Sequence, residues 1–274
     1  MDRQRWLTAL ILLPLLVLIL LKGGRLTFVL AVILVAALGQ WEFIGMFCPG
    51  SDLGRRLKAI ILGGLIVLSF STAQRALYMC NPSFPMFVLA WCLFALFLFY
   101  LISYGHIQEV GRDLAFNTLG LLYLPFLLGH FVWLRYLPQG ELWVIWLLAV
   151  IFAGDTLAYY GGKTLGQKKL YPEVSPGKTW VGVGFGVLGS LLAGLALGKY
   201  LFPMVGILTL TWLSLLLALL GLLGDLFESM LKRQAQLKDA GALLPGHGGM
   251  LDRLDSLLFA APAVVYLRLF VIGA

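Results

Sequence analysis

Long apolar runs separated by short polar segments organise this chain from end to end. Runs long enough to cross a bilayer core, roughly 17 to 25 residues, begin near Leu7, Leu26, Leu57, Phe84, Leu114, Leu142, Thr179, Pro203 and Leu254. The pattern predicts an all-α, polytopic integral membrane protein with about nine transmembrane helices, the boundary near Gly154 being the least sharply marked. Composition points the same way, since 61% of the 274 residues are hydrophobic and 12% are charged. An ordinary soluble domain would carry charge on about a quarter of its residues.

The opening stretch, with Arg3 and Arg5 before a short apolar run, resembles a signal peptide. No small-residue cleavage site follows Leu21, where Lys22 and Arg25 stand instead, so it reads as a retained first helix with Pro14 as a candidate kink. Cys48, Cys80 and Cys92 are odd in number and lie near or within apolar runs, which suits packing rather than a disulfide framework or a zinc site. No internal repeat interrupts the chain. A single transmembrane domain is expected, with residues 1–140 as helical scaffold and lipid-facing part and 150–260 as a cytoplasm-facing catalytic part.

Charge orients the helices, because cytoplasmic loops collect Lys and Arg. With the N-terminus inside, fourteen of the 20 basic residues fall on inside segments: Arg3 and Arg5, the Arg55 to Lys58 group, Arg112, the Lys163 to Lys178 group, and Lys232, Arg233, Lys238 and Arg253. Six remain outside. In the first half the polar residues Gln40, Glu42, His106, Glu109 and Asp113 sit at run ends or in short loops and read as solvated or interfacial, with a cavity-lining Glu42 as the alternative. His130, inside a run between Gly129 and Phe131, reads as a buried, hydrogen-bonded neutral imidazole.

The chemistry collects in the second half. Asp155 closes an apolar run, where an ionised carboxylate is expensive and usually functional. Ser175, Pro176, Gly177, Lys178 and Thr179 lead into the next helix, and backbone amides at a helix start beside a Lys and two hydroxyls make a phosphate seat. Asp225, Ser229 and Lys232 fall at i, i+4 and i+7 on one predicted helical face, with Glu228 alongside. Asp252 and Asp255, at i and i+3, are expected to share a helical turn, and two such carboxylates repel unless a positive charge separates them. A divalent cation between them answers that, and oxygen ligands favour Mg²⁺ or Mn²⁺ over zinc. Lys232, Arg233 and Lys238 could be explained as an anchor on anionic lipid, but Asp239, Asp252 and Asp255 in the same segment would weaken it. His247, flanked by Gly246 and Gly248, is placed to donate to a phosphate.

The run Ser229, Lys232, Arg233, Lys238, Asp239, Gly241, Leu244, Pro245, His247, Gly248, Gly249, Asp252, Arg253 and Asp255 resembles the signature of the phosphatidate cytidylyltransferases, also called CDP-diacylglycerol synthases. The segments GDTLAYYGGKTLG and SPGKTW are similar to other marks of that family, while the first half is similar in multi-span hydropathy alone. Gly177 and Val181 depart from the family, which commonly has a second Lys after the Ser-Pro and an acidic residue before the following Gly. The resemblance implies transfer of a cytidylyl group from CTP to phosphatidic acid at the bacterial inner membrane, with Mg²⁺ required, a second cation such as K⁺ admissible, and no nucleic acid involved. A homodimer is compatible with it. In that reaction Asp225, Lys232, Arg233, Lys238, Asp239, His247, Asp252, Arg253 and Asp255 would act directly, and Asp155, Ser175, Lys178, Thr179 and Ser229 would hold substrate. The competing readings are a CTP-dependent polyprenol kinase and, more distantly, an ion-coupled transporter using Asp155 and Asp225.

The charge asymmetry is testable by itself. A Cys placed at Gln236, in a background without the three native cysteines, should react with an impermeant thiol reagent from the cytoplasmic side only. Labelling from outside intact cells would invert the topology.

Overall fold

The computed structural model describes residue 14 and residues 16–72, 83–241 and 248–272, and within these nearly everything is helical. Seven helical segments among the described residues are long and apolar enough to cross a membrane: Gly24–Phe47, Phe84–Ile102, Val110–Tyr136, Gly140–Leu165, Trp180–Leu201, Ile207–Gln234 and Asp255–Ile272. They correspond to seven of the runs expected from the sequence. The run near Leu7 begins outside the described residues. The run around Leu57 forms a helix of 17 residues, Leu53–Ser69, about 25 Å at 1.5 Å per residue, extended by a 3₁₀ turn at Phe70–Thr72.

The described residues belong to two compact units, one from Met1–Leu137 with Leu237–Asp252, the other from Pro138–Gln236 with Arg253–Ala274. The first unit holds α1 (Gly24–Phe47), α2 (Leu53–Ser69), α3 (Ser83–Ile102), α4 (Val110–Leu121) and α5 (Leu127–Tyr136). Between α4 and α5 a π-helical turn spans Leu122–Phe126 and contains Pro125. Proline has no N–H to donate and its ring crowds the preceding turn, so the helix widens there rather than breaking. Stacked rings fill the interior. Phe47 lies on Phe116 with centroids 4.1 Å apart, and Phe70 packs against Phe126, His130 and Trp133. The His130 imidazole is buried and its Nδ1 lies 3.0 Å from the Phe126 carbonyl oxygen, as a neutral core histidine should.

One end of this unit is polar, and here the sequence reading is corrected. Asp113 is not solvated: it is buried and its Oδ2 sits 2.9 Å from Arg55 Nη1, joining the start of α4 to the start of α2. Asn117 donates to Tyr100 Oη at 2.9 Å and to the Asp113 carbonyl at 2.8 Å. Gln40 and Glu42 are also buried. The reason is common to all four, since on a helix wrapped by neighbours a residue near a run's end still faces inward if its angular position demands it. His106 and Glu109 are exposed, as expected. Asp52 caps α2, with Arg55 N at 3.3 Å and Arg55 Nε at 2.7 Å, and those hydrogen bonds hold its carboxyl below the usual range. Burial, and after it the neighbouring Asp113 carboxylate, pushes the Cys48 thiol up to about 12, which suits a packing residue.

The second unit holds α6 (Gly140–Leu165), a hairpin of β1 (Lys169–Tyr171) and β2 (Ser175–Thr179), then α7 (Trp180–Leu201), α8 (Ile207–Gln234) and α9 (Asp255–Leu267) with a π turn at Arg268–Ile272. The strands are antiparallel, Lys169 facing Thr179 and Tyr171 facing Ser175 across an irregularity. Helix α6 runs through Gly154 without a break, so Asp155 lies ten residues before the helix end at Leu165 and not at its terminus. The polar sequence from Asp155 onward ends the apolar run but keeps the helical phase.

Helices α6 and α7 meet backbone to backbone. A methyl at Gly182 would lie 2.9 Å from the Ala158 carbonyl oxygen, and one at Gly189 would lie 2.7 Å from that of Ala153. Gly161 is covered by the Phe185 ring, and Gly154 by the Ser190 hydroxyl, which donates to Val150 O at 3.0 Å. Small residues are what permit such approach where lipid supplies no hydrophobic drive between helices. Replacing Gly154 by Val should cost about 1–3 kcal/mol through overpacking of this seam. The check is a lowered melting temperature of the detergent-solubilised protein, and an unchanged one would show the seam to be loose.

Candidate active site

In the second unit four elements converge on one polar cluster. The hairpin is pinned at its base: Thr179 Oγ1 accepts from Gly182 N at 3.1 Å, capping α7, and packs onto Gly162 and Gly166 at the end of α6. Trp180 N donates to Lys168 O at 3.1 Å. Arg233 of α8 holds the hairpin from the other side, its Nε donating to Val174 O at 3.2 Å. This fixes β2 so that Lys178 Nζ lies 2.6 Å from Asp225 Oδ2 of α8. Ser229, one turn on, donates to Asp225 Oδ1 at 3.3 Å.

Asp155 of α6 and Asp255, the first residue of α9, join the same cluster. Both feel the Asp225 carboxylate and the Lys178 ammonium, and Asp255 also feels Asp155. The Ser256 side chain hydrogen-bonds to Asp155, while Ser256 N donates to Asp255 Oδ1 at 2.7 Å. Close packing of α8 on α9 makes this meeting possible: a methyl at Gly224 would strike the Asp255 carbonyl oxygen. Asp225 thus pairs directly with Lys178, and Asp155 and Asp255 stand near enough to interact with both. Among the described residues no three acidic, His or Cys side chains close on a single point as an all-protein metal cage would. A hard divalent ion bound with substrate phosphates needs no such cage, because it keeps water and phosphate oxygens and takes one or two carboxylates.

Asp252 is held in the first unit. Its Oδ2 accepts from Gly249 N at 2.8 Å and from Ala240 N at 3.1 Å. It lies in a 3₁₀ turn, Leu251–Arg253, whereas α9 starts at Asp255, so the expected shared helical face of Asp252 and Asp255 does not form. Their spacing is helical, but the amides that Asp252 caps lie upstream and turn the chain before α9 begins. Glu42 of α1 reaches the same strip, its Oε2 accepting from Leu251 N at 2.9 Å.

The remaining sequence candidates are distributed as follows. Asp225, Ser229 and Lys232 stand along α8 as expected, but Lys232 Nζ is 2.5 Å from Glu228 Oε2, a carboxylate with no solvent exposure. Ser175 and Lys178 lie on a strand, not on a loop of open amides before a helix, because β1 pairs with that segment. Lys238, Asp239 and Arg253 are exposed, and His247 lies outside the described residues. Ser256 and Glu228 carry contacts that the sequence reading did not assign. Their only signal was adjacency to Asp255 and to Ser229.

The profile of the Cytidylyltransferase family matches residues 3–271. The chain is 32% identical to phosphatidate cytidylyltransferase of Bacillus subtilis over 271 residues, covering 97% of each protein. It is 37% identical to that of Pseudomonas aeruginosa over 267 residues, 96% of this chain and 95% of the relative. The Synechocystis enzyme of the same name is 34% identical, with 97% and 96% covered. With a match over nearly the whole length and the acidic cluster around Lys178 in place, the chain belongs to the cytidylyltransferase family.

Proposed function

We propose that this integral membrane protein transfers the cytidylyl group of CTP to phosphatidic acid, giving CDP-diacylglycerol and pyrophosphate. The observation that carries the proposal is the ion pair of Lys178 with Asp225, close enough to Asp155 and Asp255 to interact with both, beside helices long and apolar enough to span a membrane. It is an enzyme, a nucleotidyltransferase, and its relatives of near-equal length bear the name of this reaction. A phosphate oxygen of phosphatidic acid attacks the α-phosphorus of CTP. The bond from that phosphorus to the β-phosphate bridging oxygen breaks, and its electron pair leaves with pyrophosphate.

The nucleophile is already an anion near neutral pH, so the residues need not make one. Their task is to bring two polyanions together and hold them in line. Lys178 offers an ammonium to a phosphate, and Ser229 and Ser256 set the carboxylates beside it. The gathering of carboxylates near Lys178 suits Mg²⁺, with Asp225 and Asp255 as its protein ligands. When bound, the ion would offset charge on the phosphates as pyrophosphate departs. Arg233, Lys232 and Lys238 supply positive charge on the following segment for CTP or the lipid headgroup. The acyl chains remain in the bilayer. We place the site on the cytoplasmic face of the inner membrane, where CTP is available and where fourteen of 20 basic residues fall.

Two measurements test this reading. CTP labelled at the α-phosphate should pass label into chloroform-soluble lipid in the presence of phosphatidic acid, and γ-labelled CTP should not. The reverse pattern would identify a kinase acting on a lipid alcohol. Asp225→Asn and Asp255→Asn should each insert normally and lower kcat by about 10²-fold or more, the scale of losing a principal electrostatic stabiliser. Turnover close to wild type in both, at matched protein levels, removes them from the chemistry.

A further inference from the structure

We infer that Glu42, in the half of the chain without a recognised motif, is a positioning residue that fixes the Gly249–Asp252 strip through a hydrogen bond to the Leu251 amide. Glu42 is 5% exposed. Its Oε2 lies 2.9 Å from Leu251 N, a contact across 209 residues of sequence. Two glycines are pressed on the same carboxylate: a methyl at Gly249 would sit 2.7 Å from Oε2, and one at Gly241 would strike Oε1. A side chain at either place would keep the backbone from approaching Glu42 this closely.

The bonded amide directly precedes Asp252. That residue's own carboxylate accepts from Gly249 N and Ala240 N, tying Ala240 to the strip. Gly248 has φ +80°, which favours glycine, and a side chain there would crowd Asp252 Oδ2 at 3.0 Å. Two buried or half-buried carboxylates thus organise one short segment, Glu42 from a rigid helix and Asp252 from within. Because Glu42 lies on α1 among Phe43, Ile44 and Phe47, all buried, its backbone has no freedom to follow the strip. The strip follows it. What the bond requires is an acceptor oxygen at this reach, and the negative charge is incidental.

The inference rests on the proposed reaction only for its activity readout. Two near-isosteric variants separate reach from charge: Glu42→Gln keeps reach and loses charge, Glu42→Asp keeps charge and loses one methylene of reach. Glu42→Gln should retain kcat within about threefold and keep slow amide hydrogen exchange in the peptide covering residues 248–254. Glu42→Asp should exchange faster there and lose kcat by about 10²-fold, the effect of a misplacement near 1 Å, while KM for CTP changes by less than about threefold. Wild-type exchange and turnover in Glu42→Asp would overturn the inference. So would an inactive Glu42→Gln with protection intact, which would make the charge essential. If the wild type itself passes no α-label to lipid but the exchange pattern is as expected, the anchor stands and the proposed reaction falls.

Discussion

Ionised carboxylates among apolar helices must be compensated, and this requirement shapes the second unit. Asp155, Asp225 and Asp255 lie on helices long and apolar enough to cross a membrane, where an isolated charge is costly. The hairpin exists in the geometry that answers them. It is too short to form a core of its own, and it is held at both ends by helices, so that Lys178 stands against Asp225 at 2.6 Å.

The helical, membrane-spanning character was legible because hydrophobic length is a strong signal. The face shared by Asp225, Ser229 and Lys232 was equally legible, since α8 continues regularly to Gln234 and helical spacing applies. What spacing could not reveal was where regularity stops. Asp252 and Asp255 sit three apart, yet the 3₁₀ turn at Leu251–Arg253 places them in different elements. Ser175 to Thr179 looked like a helix entrance because Thr179 is indeed the cap of α7, but the pairing with Lys169–Tyr171 depends on a partner strand too short to announce itself.

The first half shows the opposite failure. Glu42, Gln40 and Asp113 lie near the ends of apolar runs, where a one-dimensional reading assigns water. Each is buried because its helix is wrapped by others, and burial of a polar residue is a tertiary property that local sequence does not carry. Asp113 finds Arg55 58 residues away and Glu42 finds Leu251 209 residues away. A buried acid flanked by Trp41 and Phe43 in an otherwise apolar stretch was the available clue, and it became specific only when the partner amide was seen.

The glycine seam between α6 and α7 has a dynamic meaning. Side-chain interfaces can slide between alternative rotamer packings, whereas backbone set against backbone offers few alternatives to occupy. Asp155 on one helix and the strand bearing Lys178, capped onto the other by Thr179, are consequently parts of one stiff lever. A displacement of either helix would therefore have to carry Asp155 and the strand of Lys178 together, keeping their mutual spacing.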